Sequence, residues 1–159
     1  IEVHRRIMGI PLQPRDLDHT TAPIILSYPA SPHLAARIDN VEVDWSLADK
    51  STEILASEFD TVLIEGAGGL MVPLTEEMLC IDFIRDHKYP VTVIVNGQLG
   101  AINHAVLTLR ALEHEGIPVW AVIYNPFFDS DKIIADENRE YLRRYTAKHH
   151  PYAQYLVMA

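Results

Sequence analysis

The chain has 159 residues, 48% of them hydrophobic and 22% charged, which suffices to bury a core within one domain spanning 1–159. A formal net charge of −9 argues against a protein that coats nucleic acid or an anionic membrane, since both demand a positive footprint, and favours small-molecule partners. The single cysteine, Cys80, rules out an internal disulfide, and no apolar run resembles a membrane span or signal peptide, so a cytoplasmic setting is expected.

In chain order, "IEVHRRIMGI" reads as an amphipathic segment that starts at Ile1 rather than Met, and further residues are expected upstream. Residues 11–33 hold five prolines and read as an ordered loop. Ser31 before Pro32 predicts a helix start, the serine as cap and the proline in the first turn, with a short helix through Arg37. From Asp44, the positions Trp45, Ala48, Leu55 and Phe59 recur at roughly helical spacing. "TVLIE" at 61–65 then reads as a strand, and a helix is predicted over 76–88. A strand follows at 91–96, then a helix over 101–115 with Ile102, Ala105, Val106, Leu109 and Leu112 on one stripe. A strand at 118–124, a polar helix over 131–146 and a last strand within "AQYLVM" complete the pattern. Helices alternating with short, continuously apolar strands predict an α/β fold with a mostly parallel, doubly wound sheet. Ligands of such sheets sit at strand carboxyl ends where strand order reverses, which directs attention to Glu65, Asn96 and Asn125.

The first of these ends reads "DTVLIEGAGGLMVPL". A carboxylate at Glu65 suits Mg²⁺, and the glycines after it allow backbone N–H groups to approach phosphate oxygens. A tight turn beside a solvated glutamate explains the same residues equally well. The second reads "VIVNGQLGAINHAVLT": Gly97 and Gly100 bracket a tight loop, and the helix after it opens with unused backbone donors, a ready site for a carboxylate or phosphate. Asn103 is a candidate polar contact there. For His104 a packed or solvent-facing helix histidine is the default. The third end is "AVIYNPFF", where Asn125 either starts a turn or offers its amide to the edge of a base such as adenine. Cys80 falls in an apolar helical pattern and reads as a core thiol. Glu76 and Glu77 are read as charges offsetting a helix macrodipole, and the adjacent His149 and His150 lack metal-ligand spacing.

Taken together, "DTVLIEGAGGLMVPL", "YPVTVIVNGQLGAINHAVLTLRALEHEGIPVWAVIYN" and the upstream "ASPH" resemble the dethiobiotin synthetase family of the biotin pathway, over roughly residues 29–126. The resemblance implies a P-loop NTPase-like, Rossmann-like three-layer fold. It also implies that Glu65 binds the Mg²⁺ of MgATP, that Gly66, Ala67, Gly68 and Gly69 border the ATP phosphates, and that Asn125 contacts adenine. By the same resemblance Gly100, Ala101, Ile102 and Asn103 bind the substrate carboxylate, from the neighbouring subunit of a homodimer. The implied reaction joins 7,8-diaminopelargonate and CO₂, with ATP, into dethiobiotin.

Departures from the family pattern carry their own expectations. A phosphate-binding loop of the G-x-x-x-x-x-G-K-T kind and a further lysine are expected upstream, so no catalytic residue is assigned within 1–159. The family's second metal-binding acid would align at or just before Ile1, where Glu2 is a poor substitute, and Gln98 stands where the family often has a basic residue. The chain is therefore expected to be the larger C-terminal part of such an enzyme, lacking the N-terminal strand, inactive alone and prone to association. The alternative is a noncatalytic regulatory or nucleotide-binding module; a corrinoid-directed amidotransferase relative is disfavoured by "LGAINH".

Overall fold

Valine and isoleucine favour a pleated backbone only where a neighbouring strand takes up their N–H and C=O groups, and this condition separates the two halves of the chain. The computed structural model describes residues 1–66 and 68–158. They form two units, Ile1–Met78 and the residues from Leu79 onward.

The first unit holds α1 (Glu2–Met8), α2 (Pro14–Leu17), α3 (Pro32–Asp39) and α4 (Ser46–Glu58). Its polar anchor is Asp16, whose buried carboxylate accepts from Arg5 Nε at 2.7 Å and Nη2 at 2.8 Å, from the Gln13 amide at 2.7 Å and from the Thr21 hydroxyl at 2.8 Å. Four donors, with the Arg5 guanidinium foremost, hold the Asp16 carboxyl well below the usual carboxylate range. Arg15 forks onto Glu58 and so ties α2 to α4. The helix at α3 begins as expected, but Ser31 makes no side-chain capping bond; Pro32 with its fixed φ opens the first turn instead. The proline-rich loop likewise contains the short α2.

Two expectations for this unit are overturned. Residues 61–65 form no strand: they join no ladder among the described residues, and Leu63 is 87% exposed. An apolar run supplies the side chains of a strand but not the partner that makes it one. The helix expected from residue 76 begins only at Cys80, because Thr75 closes a turn by accepting from the amides of Glu77 at 3.1 Å and Met78 at 3.0 Å. Glu76 and Glu77 therefore lie in that turn rather than in a helical first turn.

The second unit runs α5 (Cys80–His87), β1 (Val91–Asn96), α6 (Ala101–His114), β2 (Val119–Asn125), a 3-10 turn at Pro126–Phe128, α7 (Lys132–His149) and β3 (Gln154–Val157). Asp82 opens α5 by accepting from the Leu79 amide at 2.8 Å. The strands lie parallel in the order β1-β2-β3, with α6 and α7 as the crossovers, so the fold is α/β as expected. Strand order does not reverse among the described strands. Leu109, Leu112, Val122, Tyr124 and Leu142 are fully buried and form the core of this unit, each apolar side chain contributing about 1.5–3 kcal/mol by its removal from water. On α6 the buried positions are Ala101, Ala105, Leu109 and Leu112, while Ile102 and Val106 are half-buried at the stripe's edge. No helix of the described residues is long and apolar enough to cross a membrane.

Candidate functional site

Parallel strands place all their carboxyl ends on one rim, and here two of those ends are matched. Asn96 of β1 is the register partner of Asn125 of β2. Each asparagine ends its strand in the same way: Asn96 Oδ1 accepts from the Gln98 amide at 3.1 Å, and Asn125 Oδ1 accepts from the Phe127 amide at 3.0 Å. Asn125 thus starts the turn into Pro126–Phe128 and keeps its Nδ2 group as a donor.

The loop from Gly97 to Gly100 leads into α6. A methyl group built on Gly97 would overlap the Asp129 carboxylate and the Tyr124 hydroxyl, so only glycine fits there without a shift. Gly100 has φ of 94°, a left-handed conformation that favours glycine, and it caps α6 without a side-chain bond. The Ala101 amide is taken by Gln98 O at 3.0 Å and the His104 amide by Gly100 O at 3.2 Å. The amides of Ile102 and Asn103 have no acceptor among the described residues, and they stand at the positive end of a helix of 14 residues. Such an end accommodates a carboxylate or phosphate. Asn103 and His104 are exposed in this first turn.

Beneath the loop lies a polar cluster. The Tyr124 hydroxyl donates to Asp129 Oδ1 at 2.9 Å, and burial, followed by the neighbouring Asp129, pushes this phenol up to about 12. The Arg139 guanidinium sits 5.3 Å from the Tyr124 ring centroid, with Nη2 3.6 Å from Asp129 Oδ2. Tyr155 of β3 donates to Arg139 O at 2.9 Å, and burial raises its phenol to about 12 as well. Asn138, only 6% exposed, donates through Nδ2 to Gly97 O at 2.8 Å and to Gln98 O at 3.3 Å. An open cavity of about 390 Å³ adjoins the cluster, lined by Asp129, Ser130, Lys132, Ala135, Asp136 and Arg139.

In the first unit, Glu65 is exposed, its side chain 79% accessible and its Oε2 3.5 Å from His4 Nε2. The glutamate therefore follows an irregular segment rather than standing at a strand mouth. Gly66 and Gly69 are exposed. Gly68 has φ of 89°, and a Cβ on it would come within 2.7 Å of Val72 Cγ2. The Gly69 carbonyl accepts from the Val72 amide at 3.0 Å, which makes the stretch a turn. Ala67 lies outside the described residues. Among the described residues no group of three His, Cys, Asp or Glu side chains is placed to hold a metal ion. A single open carboxylate still fits Mg²⁺ of a nucleotide, which takes one or two protein carboxylates and fills its octahedron with phosphate oxygens and water.

Cys80 is half-buried and burial raises its thiol, as expected of a structural cysteine. His149 stacks on Tyr145 with ring centroids 4.3 Å apart. The sequence reading passed over Gly97 as more than a loop bracket, and passed over Tyr124, Asp129 and Asn138 altogether. One signal for Asn138 was available: an amide at an inward position of the stripe Ala135, Leu142 and Thr146.

A parallel sheet with crossover helices and an anion-ready helix start at its carboxyl rim defines an α/β domain of the P-loop NTPase kind, and residues 6–150 match the family model described as an AAA domain. Over 140 residues the chain is 47% identical to the ATP-dependent dethiobiotin synthetase BioD of Chlorobaculum tepidum, covering 88% of this chain and 59% of that one. It is 41% identical over 155 residues to the ATP-dependent dethiobiotin synthetase BioD 2 of Pasteurella multocida, covering 98% of this chain and 73% of that one. For the Haemophilus influenzae counterpart the identity is 44% over 132 residues, covering 83% and 69%. The chain belongs to the dethiobiotin synthetase family, a family of ATP-dependent ligases of biotin biosynthesis.

Proposed function

We propose that this chain serves the ATP-dependent conversion of 7,8-diaminopelargonate and CO₂ to dethiobiotin, ADP and phosphate. The observation that supports this reading is the start of α6, where Gly100 takes a left-handed turn and the Ile102 and Asn103 amides have no acceptor among the described residues. Those amides receive the carboxylate of the diamino acid, with Gly100, Ala101, Ile102 and Asn103 forming its seat. Fixing that end leaves the amines at the opposite end of a chain of fixed length, which lowers the entropic cost of ring closure.

One amine attacks the carbon of CO₂ and loses a proton, giving a carbamate. A carbamate oxygen attacks the γ-phosphorus of ATP and ADP leaves. The second amine then attacks the carbamoyl carbon and expels phosphate, closing the five-membered ureido ring. Phosphorylation turns a poor leaving oxygen into a good one, so the protein's part is to position groups and neutralise charge. Asn125 offers its amide to the adenine edge, and Gly66, Ala67, Gly68 and Gly69 border the phosphates. Glu65 would hold Mg²⁺, which supplies charge neutralisation between the phosphates when bound. The enzyme works as a homodimer, each α6 start contributing the substrate-carboxylate seat to the neighbouring subunit's site.

The test is phosphate release by the purified full-length protein that contains this chain, expected to require ATP, diaminopelargonate and CO₂ together. Glu65→Gln is expected to raise the Mg²⁺ concentration for half-maximal rate by about tenfold or more, the scale of one lost charged ligand contact. Unchanged Mg²⁺ dependence would remove Glu65 from the ligand set, and release that ignores the diamino acid would overturn the substrate.

A further inference from the structure

The inward stripe of α7 runs Ala135, Asn138, Leu142 and Thr146, and Asn138 is its one amide. An amide so deeply buried persists only if its donors are used. Its Nδ2 group donates across 40 and 41 residues to one place, the carbonyls of Gln98 and Gly97. Two carbonyl acceptors demand the NH₂ end of the amide, which fixes its orientation.

We propose that Asn138 is a positioning residue for the substrate-carboxylate seat at Gly100–Asn103; the inference rests on the reading of that seat given above. Gln98 O accepts from Asn138 and also from the Ala101 amide, the first amide of α6. The same carbonyl therefore joins α7 to the helix start, and moving one moves the other. On its other side the loop is bounded at Gly97 by the Tyr124 hydroxyl and the Asp129 carboxylate, whose own positions are set by their mutual bond and by Arg139. Between these two walls the orientation of the Ile102 and Asn103 amides is fixed before any ligand arrives. Asn138 touches no reacting atom; it acts through the loop.

The experiment compares wild type with Asn138→Leu and Asn138→Asp, the second keeping the shape while losing both donors. Steady-state kinetics are measured with each substrate varied in turn, alongside amide hydrogen exchange of residues 97–103 and of 109–112 in the unliganded enzyme. The expected result is a rise of about tenfold or more in KM for the diamino acid with KM for ATP changed less than about twofold. Exchange is expected to quicken about tenfold or more at 97–103 and to stay unchanged at 109–112. Equal effects on both KM values, or faster exchange spread through α6, would overturn the proposal by showing a general structural role. Failure of both variants to fold would do the same. An active variant with unaltered exchange at 97–103 overturns the inference alone. A wild-type enzyme indifferent to diaminopelargonate overturns the functional reading, and with it the substrate seat that Asn138 is said to position.

Discussion

Replacing Gly97 by alanine places a methyl group against two oxygens at once, the Tyr124 hydroxyl and Asp129 Oδ1. Gly97 is not among the residues with positive φ, so its backbone accepts alanine, and the usual gain from a stiffer unfolded chain is about 0.4–1 kcal/mol. Against that stands overpacking of a fully buried tyrosine bonded to a carboxylate, worth about 1–3 kcal/mol. The net expectation for Gly97→Ala is destabilisation by about 1–2 kcal/mol. Tyr124→Phe removes the hydroxyl and its bond to Asp129, costing about 1 kcal/mol by itself. In the Tyr124→Phe background the new methyl no longer meets an oxygen on that side, and Asp129 is released to rotate. The two changes should therefore couple favourably by about 1 kcal/mol. The assay is urea unfolding followed by Trp120 fluorescence in a Trp45→Phe background, which reports β2 alone because the chain has two tryptophans. Costs that add to within about 0.3 kcal/mol would show that the loop does not rest on the Tyr124 hydroxyl.

Two further outcomes follow from the titrating groups. Ionised Asp16 is stabilised by Arg5, so its contribution is complete above the ordinary carboxylate value of 3.8 and is lost as pH falls towards its lower folded value. Asp16→Asn should lower the melting temperature of the first unit near neutrality and flatten its decline below pH 4, and an unchanged acid limb in calorimetry would refute this. Tyr124 and Tyr155 have phenols raised to about 12 against an ordinary 10.0, so the stability they contribute is present below pH 10 and is lost as pH rises towards 12. Ultraviolet titration should show tyrosine ionisation near pH 12 that shrinks in Tyr155→Phe, and the absence of any such late ionisation would refute it.

The second unit was legible because its signals are local and redundant. Val93 and Val95 alternate towards the core of β1, and Leu109 and Leu112 mark the buried stripe of α6, so pattern and packing agree there. The segment at 61–65 uses the same vocabulary of Val, Leu and Ile, yet strand formation depends on a neighbour that no local pattern encodes. Thr75 and Asp82 moved a helix start by four residues through side-chain bonds to backbone amides, a competition that composition alone does not rank. The tight turn from Gly97 to Gly100 and the start of α6 were visible from their glycines and the apolar stripe after them. Their support was not, because Asn138 lies some 40 residues downstream and reads as one polar residue among many on a charged helix.

The matched asparagine turns at Asn96 and Asn125 have a consequence for how this rim can change. Each strand ends its own ladder through a side chain two residues from the amide it holds, so neither ending depends on what the next segment contains. Beyond the amides of Gln98 and Phe127, neither ladder ending itself sets the length of the segment that follows. The loop after β1 is constrained further, since it is docked by a residue from a different helix. Grafting "NGQLGAINH" onto an unrelated parallel sheet should carry its backbone shape only when an amide equivalent to Asn138 is transplanted with it.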